Sequence, residues 1–303
     1  MERTTAKKNK YEIDMCNGTI MDKLISFSLP LMLSGILQLM FNAVDIIVVG
    51  RFSGSQALAA VGSTSALINV FTNLFIGISL GANVLTARFY AAGREKEVSE
   101  TVHTAITLAL VSGIVMALVG LVFSRGALAL MGTPDDVIGL SALYMRIYFL
   151  GMPFFMLYNY GAAILRAVGD TKRPLLFLMI AGVINACLNM VLVIVFKLGV
   201  AGVAIATVIS QMISCVLVLR CLCRSESSYR LRFSELGMKG YYLKQIFSVG
   251  VPAGIQSTVI NFSNVLLQSS VNSFGSTAMA GYTAANNLLG FLYVSVNSIT
   301  QAC

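Results

Sequence analysis

From Phe27 to Val49 the chain runs 23 residues with a single charged side chain, Asp45. A helix of that length rises roughly 34 Å at 1.5 Å per residue, enough to cross the hydrocarbon core of a bilayer. Such runs recur near 26–50, 57–89, 101–123, 141–166, 175–196, 200–222, 245–272 and 277–303. Eight of them, in a chain that is 57% hydrophobic and 11% charged, exclude a water-soluble globular domain. The expected fold class is an all-α polytopic membrane protein with eight spans. The short turn 196–200 predicts a tight antiparallel hairpin between the fifth and sixth spans.

Charge sets the expected orientation. Arg3, Lys7, Lys8, Lys10 and Lys23 precede the first span, Arg88, Arg94 and Lys96 follow the second, and Arg166, Lys172 and Arg173 follow the fourth. Arg220, Arg224, Arg230, Arg232, Lys239 and Lys244 surround the connection from the sixth to the seventh. Those four regions hold 17 of the 21 basic residues, so they and the N-terminus are expected in the cytoplasm. The net charge of +8 therefore reports membrane topology and not a nucleic-acid partner. Arg146, one to two turns into the fourth span from its outer end, is expected to snorkel to the interface. No secretory signal is expected, because Met1 to Asp22 is polar and the first apolar run is too long for one.

Asp45 is the one acid expected within hydrocarbon depth. Ser34, Gln38, Asn42 and Asp45, spaced by four, four and three, form one polar stripe on the first helix. A stripe like that faces protein or water, and its acid is a functional candidate. A structural carboxyl neutralised by a hydrogen bond is the plainer alternative. The six cysteines show no metal-binding or redox spacing. His103 is the only histidine and no HExxH occurs, which argues against a zinc enzyme. An intramembrane aspartic dyad needs a second buried acid, and none is available, so the chain is not read as an enzyme.

Gly54-Ser55-Gln56-Ala57-Leu58-Ala59-Ala60 is echoed by Gly275-Ser276-Thr277-Ala278-Met279-Ala280-Gly281. Each copy follows a long span with an early proline, Pro30 or Pro252. Two copies starting on the same side would be parallel repeats related by an axis along the membrane normal. The expected division is a cytoplasmic segment 1–22, a first six-helix lobe 23–223, a cytoplasmic inter-lobe linker 224–244 and the start of a second lobe 245–303. The linker is a candidate hinge, with a plain solvated connection as the alternative. The second copy would hold only two spans, so the chain is expected to be cut short within the eighth.

With that repeat, FNAVDIIVVGR from Phe41, ARFYAAG from Ala87, ILRAVGDTKRP from Ile164 and GVAGVAIAT from Gly199, the chain resembles the multidrug and toxic compound extrusion family. The resemblance covers the chain from about residue 20 and is nearest to the branch named for a DNA-damage-inducible protein. It implies twelve helices in two six-helix lobes, here with the second incomplete. It also implies a secondary active antiporter that exports amphipathic or cationic compounds in exchange for protons or sodium ions. Asp45 then matches the family's cation-coupling acid. Asn185 and Asn189 match a pair that in many members is Asn followed by Asp, and Thr207 matches a position near the same polar pocket. Gln38, Asn42, Gln256 and Asn264 are candidate cavity-lining residues. A sodium ion, where one is used, would sit at Asp45 and Asn185, with no catalytic residue and no cofactor.

Asn185 and Asn189 could equally be hydrogen bonds between helices. The Thr207 hydroxyl could simply bond its own backbone. The implied partners are small amphipathic or cationic molecules and the lipid bilayer, with no nucleic acid, in a monomer spanning the plasma membrane several times. A flippase for a lipid-linked precursor and a non-transporting sensor or scaffold are the competing classes.

Overall fold

The computed structural model describes residues 19–130, 135–272, 289, 290 and 293. Most of both copies' echo lies on either side of that limit: the first is helical, and residues 275–281 of the second lie outside the described residues, as does nearly all of the expected eighth span. The described chain folds into α1 (Ile20–Phe52), α2 (Ser55–Ala91), α3 (Glu95–Leu130), α4 (Asp135–Leu150), α5 (Met152–Ala167), α6 (Lys172–Met190), α7 (Gly199–Arg224) and α8 (Gly240–Asn272). Five of these are long and apolar enough to cross a membrane, and a sixth span results if α4 and α5 are taken together.

The expected fourth span, 141–166, is built from two helices meeting at 49°. Pro153 is the physical cause. It lacks the N–H that would continue the ladder, and its ring opposes the carbonyl one turn earlier, so the helix stops at Leu150 and restarts at Met152. α6 also ends irregularly. Val191–Val195 form a wider π turn, and the chain reverses through Lys197 and Gly199, both at positive φ (54° and 53°). The result is the tight hairpin into α7.

α1 and α8 are built alike. Each is 33 residues long with a proline in its first half, Pro30 or Pro252. α8 is the more polar of the two, with Gln256, Asn261, Asn264 and Gln268 along it.

α2 and α8 cross at very short range. A Cβ added to Gly77 would lie 2.2 Å from the Gly254 Cα, and one added to Gly81 would lie 2.2 Å from the Ile246 carbonyl oxygen. Gly250 and Gly254 meet the α2 backbone at Ile78 and Leu74 in return. Glycines four apart on both helices let the two backbones touch, which is how helices associate where there is no hydrophobic drive between them.

The connection from α7 to α8 is anchored near its centre, while residues 232–239 are exposed. Tyr229 and Leu231 are fully buried in it, and a short 3-10 turn, Phe233–Glu235, carries the chain onward. It docks on the first turns of α3. The Arg232 N–H donates to His103 Nε2 at 3.0 Å, while His103 Nδ1 lies 2.6 Å from the Ser99 carbonyl, so the ring with its proton on Nδ1 satisfies both. The Lys239 N–H reaches Thr104 Oγ1 at 3.4 Å, and Lys239 Nζ pairs with Glu100 at 2.5 Å. Arg232 also pairs with Glu235 at 2.8 Å, and its hydrogen bond holds that carboxyl below the usual carboxylate range. A structural role in holding the connection therefore accounts for the only histidine in the chain.

Candidate functional site

α1 packs against α6, and Leu37, Phe41, Val44 and Val48, spaced by four, three and four, lie on the one face of α1 that joins the core. Gly182 makes the approach close: a Cβ there would fall within the Phe41 ring, 1.8 Å from Cζ. Asp45 lies one turn from Phe41 and Val48 on the edge of that face, so the contact that seats Phe41 carries the carboxylate inside with only 9% of its surface exposed.

α6 supplies the partners. Asn185 and Asn189, one turn apart, are buried at 5% and 0% exposure. The Asn189 Nδ2 donates to the Asp45 Oδ1 and, at 3.1 Å, to the Asn185 Oδ1. The Asn185 Nδ2 in turn points at Thr207 Oγ1 on α7, 3.5 Å away. Thr207 donates its own proton to the Val203 carbonyl at 3.0 Å. A chain of polar groups thus runs from α1 through α6 to α7. The buried Asn189 Oδ1 in this chain has no hydrogen-bond partner among the described residues.

Two tyrosines that the sequence reading did not single out belong to the same neighbourhood. Tyr144 and Tyr148 of α4 are stacked at 6.1 Å between ring centroids and lie close enough to feel the charge of Asp45. Their spacing of four in an apolar helix was the available signal. Behind them a cavity of about 10 Å³ is lined by Tyr148, Gly151, Phe155, Thr207, Val208 and Gln211, at the break between α4 and α5. That is room for about one water. The Gln211 Oε1, buried and without a partner, borders it.

The rest of the expected stripe is not drawn into this cluster. Ser34 donates to its own Pro30 carbonyl at 2.8 Å. Gln38 and Asn42 are exposed on α1, clear of the α6 contact, and Gln256 is exposed on α8. The Asn264 side chain lies outside the described residues. Among the described residues no three His, Cys, Asp or Glu side chains gather as a metal site. The donors here, one carboxylate and two amide oxygens, suit a hard monovalent cation or a proton and not a transition metal.

Membrane-length helices bundled around one buried acid, with an amide and hydroxyl chain leading from it, define a polytopic membrane protein of transporter build. Residues 30–191 match the family described as MatE. The chain is 36% identical over 282 residues to the probable multidrug resistance protein YoeA of Bacillus subtilis (strain 168), covering 90% of this chain and 60% of that protein. It is 29% identical over 276 residues to the probable multidrug resistance protein YpnP of the same organism, covering 91% and 61%. It is 24% identical over 272 residues to the multidrug export protein MepA of Staphylococcus aureus, covering 88% and 59%.

Solved structures agree on the fold. A crystal structure of MATE in the bent conformation superposes with a TM-score of 0.85 at 22% identity, covering 94% of this chain and 64% of that one. An outward-facing multidrug resistance MATE transporter of the MOP superfamily gives 0.85 at 22% identity, covering 92% and 62%. The chain belongs to the MATE family, whose members are transporters and not enzymes. It spans about 60% of the length of the curated relatives it matches.

Proposed function

We propose that this protein is a secondary active antiporter that exports amphipathic or cationic compounds across the plasma membrane, taking up protons or sodium ions in exchange. The observation that carries the reading is the buried Asp45 carboxylate, tied to Asn189 at the contact of α1 with α6. A charge held out of water at a helix contact changes the packing around it when it is neutralised. In the outward-open state Asp45 takes up its cation, the charge disappears, and the hold of α1 on Asn189 loosens. The site for a cationic substrate weakens and the substrate leaves. After reorientation the cation departs to the cytoplasm and the restored charge favours the next substrate. The two ligands are coupled because each binds one charge state of the site better than the other.

For a sodium ion, the Asp45 carboxylate and the Asn185 Oδ1, both of which accept from the Asn189 Nδ2, are the oxygens that would hold it. For a proton, Asp45 alone carries the exchange and the amides orient it. Gln38, Asn42, Gln256 and Asn264 remain proposed cavity-lining residues. The division into a first lobe 23–223, a linker 224–244 and a second lobe from 245, the cytoplasmic N-terminus and the monomeric state belong to the same proposal.

The test is transport in liposomes with an imposed proton or sodium gradient, read by efflux of a fluorescent lipophilic cation. Wild-type protein should move the dye with one of the two gradients, which names the ion. Asn185→Ala should slow sodium-driven efflux severely and proton-driven efflux only mildly. Efflux indifferent to both gradients would contradict antiport.

A further inference from the structure

Arg125 of α3 and Arg146 of α4 line one open groove of about 330 Å³. Its floor is the stripe Gly139, Ala142, Leu143 and Arg146, spaced by three, one and three along a single face of α4. Gly139 and Ala142 are what leave it empty, and a Cβ added to Gly139 would meet nothing within 4 Å. Both arginines are exposed. Two guanidinium groups lining one groove at the edge of a bilayer repel each other, and an anion between them relieves that cost.

The surroundings name the kind of anion. α3 is 36 residues long, about 54 Å, against a hydrocarbon core of about 30 Å, so its last turns reach headgroup level. Arg125 lies five residues before its end, at the opposite end of the bundle from the connection that docks on Glu100 and His103. Below it on the same face of α3 lie Val122 and Leu118, 70% and 59% exposed, an apolar track leading from the groove toward the middle of the membrane. A headgroup phosphate above and an acyl chain below match that layout, and guanidinium pairs with phosphate oxygens through two hydrogen bonds at once. We propose that this groove binds the phosphodiester of an anionic phospholipid in the leaflet opposite the 225–239 connection, with Arg125 and Arg146 as its ligands and Leu118 and Val122 beneath its chain. The charge alternation makes that the outer leaflet. The site is independent of the exchange at Asp45.

The chain contains no tryptophan, so Val122→Trp supplies a single fluorescent reporter one turn below Arg125. In mixed vesicles of phosphatidylglycerol and phosphatidylcholine, either lipid can carry the bromine that quenches it. Brominated phosphatidylglycerol should quench on the order of 5–30-fold more effectively per mole fraction, since each basic side chain near the surface adds about 1 kcal/mol of attraction for anionic lipid. Adding Arg125→Gln and Arg146→Gln should bring the ratio to about one. Gly139→Leu, which fills the groove and keeps both charges, should lower it as well, so the test does not depend on the arginine variants folding. Equal quenching by the two lipids with both arginines present would overturn the proposal. So would relief of quenching by millimolar glycerol phosphate, which would give the groove to a soluble anion.

Discussion

Asn189 holds two hydrogen bonds with one amide group, to Asp45 and to Asn185, and nothing else among the described residues reaches the Asp45 carboxylate by hydrogen bond. Asn189→Leu therefore leaves a buried charge without its donor, a loss of about 1–3 kcal/mol that a thermal melt of the detergent-solubilised protein would register. Asn185→Ala keeps the Asp45 contact and should cost less in the same melt. Equal losses would place the stability in the amide pair and not in the carboxylate. The acid itself was legible as a single charge in an apolar run. Its partner was legible only through the family resemblance, because an Asn one turn from another Asn in a membrane helix reads equally well as a plain contact between helices. Tyr144 and Tyr148 went unread for a related reason, since nothing in the sequence says which face of α4 looks toward α1.

At the scale of helices, glycines decide the close approaches. Gly81→Leu would drive a side chain into the Ile246 carbonyl of α8, and a backbone cannot move aside as a side chain can. A destabilisation of about 1–3 kcal/mol is expected in a thermal melt. Gly62→Leu on the same helix, where an added Cβ meets nothing within 4 Å, should leave the melt unchanged. The GxxxG spacing of Gly77 and Gly81 and of Gly250 and Gly254 was present in the sequence, but spacing alone does not say which helix answers which. The break at Gly151 has the same character. Hydropathy runs unbroken from 141 to 166, so the pattern favours one span, and only the backbone chemistry of Pro153 divides it.

At the scale of the molecule, the connection after α7 is the piece whose behaviour the sequence least disclosed. Its charges, Arg224, Arg230, Arg232 and Lys239, read as a solvated linker, whereas Tyr229 and Leu231 anchor it and His103 receives its backbone. His103→Phe removes the acceptor and leaves the Arg232 N–H unmet, so amide hydrogen exchange across 226–239 should quicken by about 10-fold or more, for a loss of about 1–3 kcal/mol. Unchanged exchange would show that the buried Tyr229 and Leu231 hold the segment unaided.

The exchange proposed at Asp45 can be read without any transport. Adding a lipophilic cation to purified protein in weakly buffered detergent solution should release about one proton, or displace about one labelled sodium ion, per protein molecule, because substrate and coupling cation compete for one charge. Asp45→Asn should bind the substrate and release neither ion. Release from Asp45→Asn equal to that from the wild type would contradict the account and move the exchange to another residue.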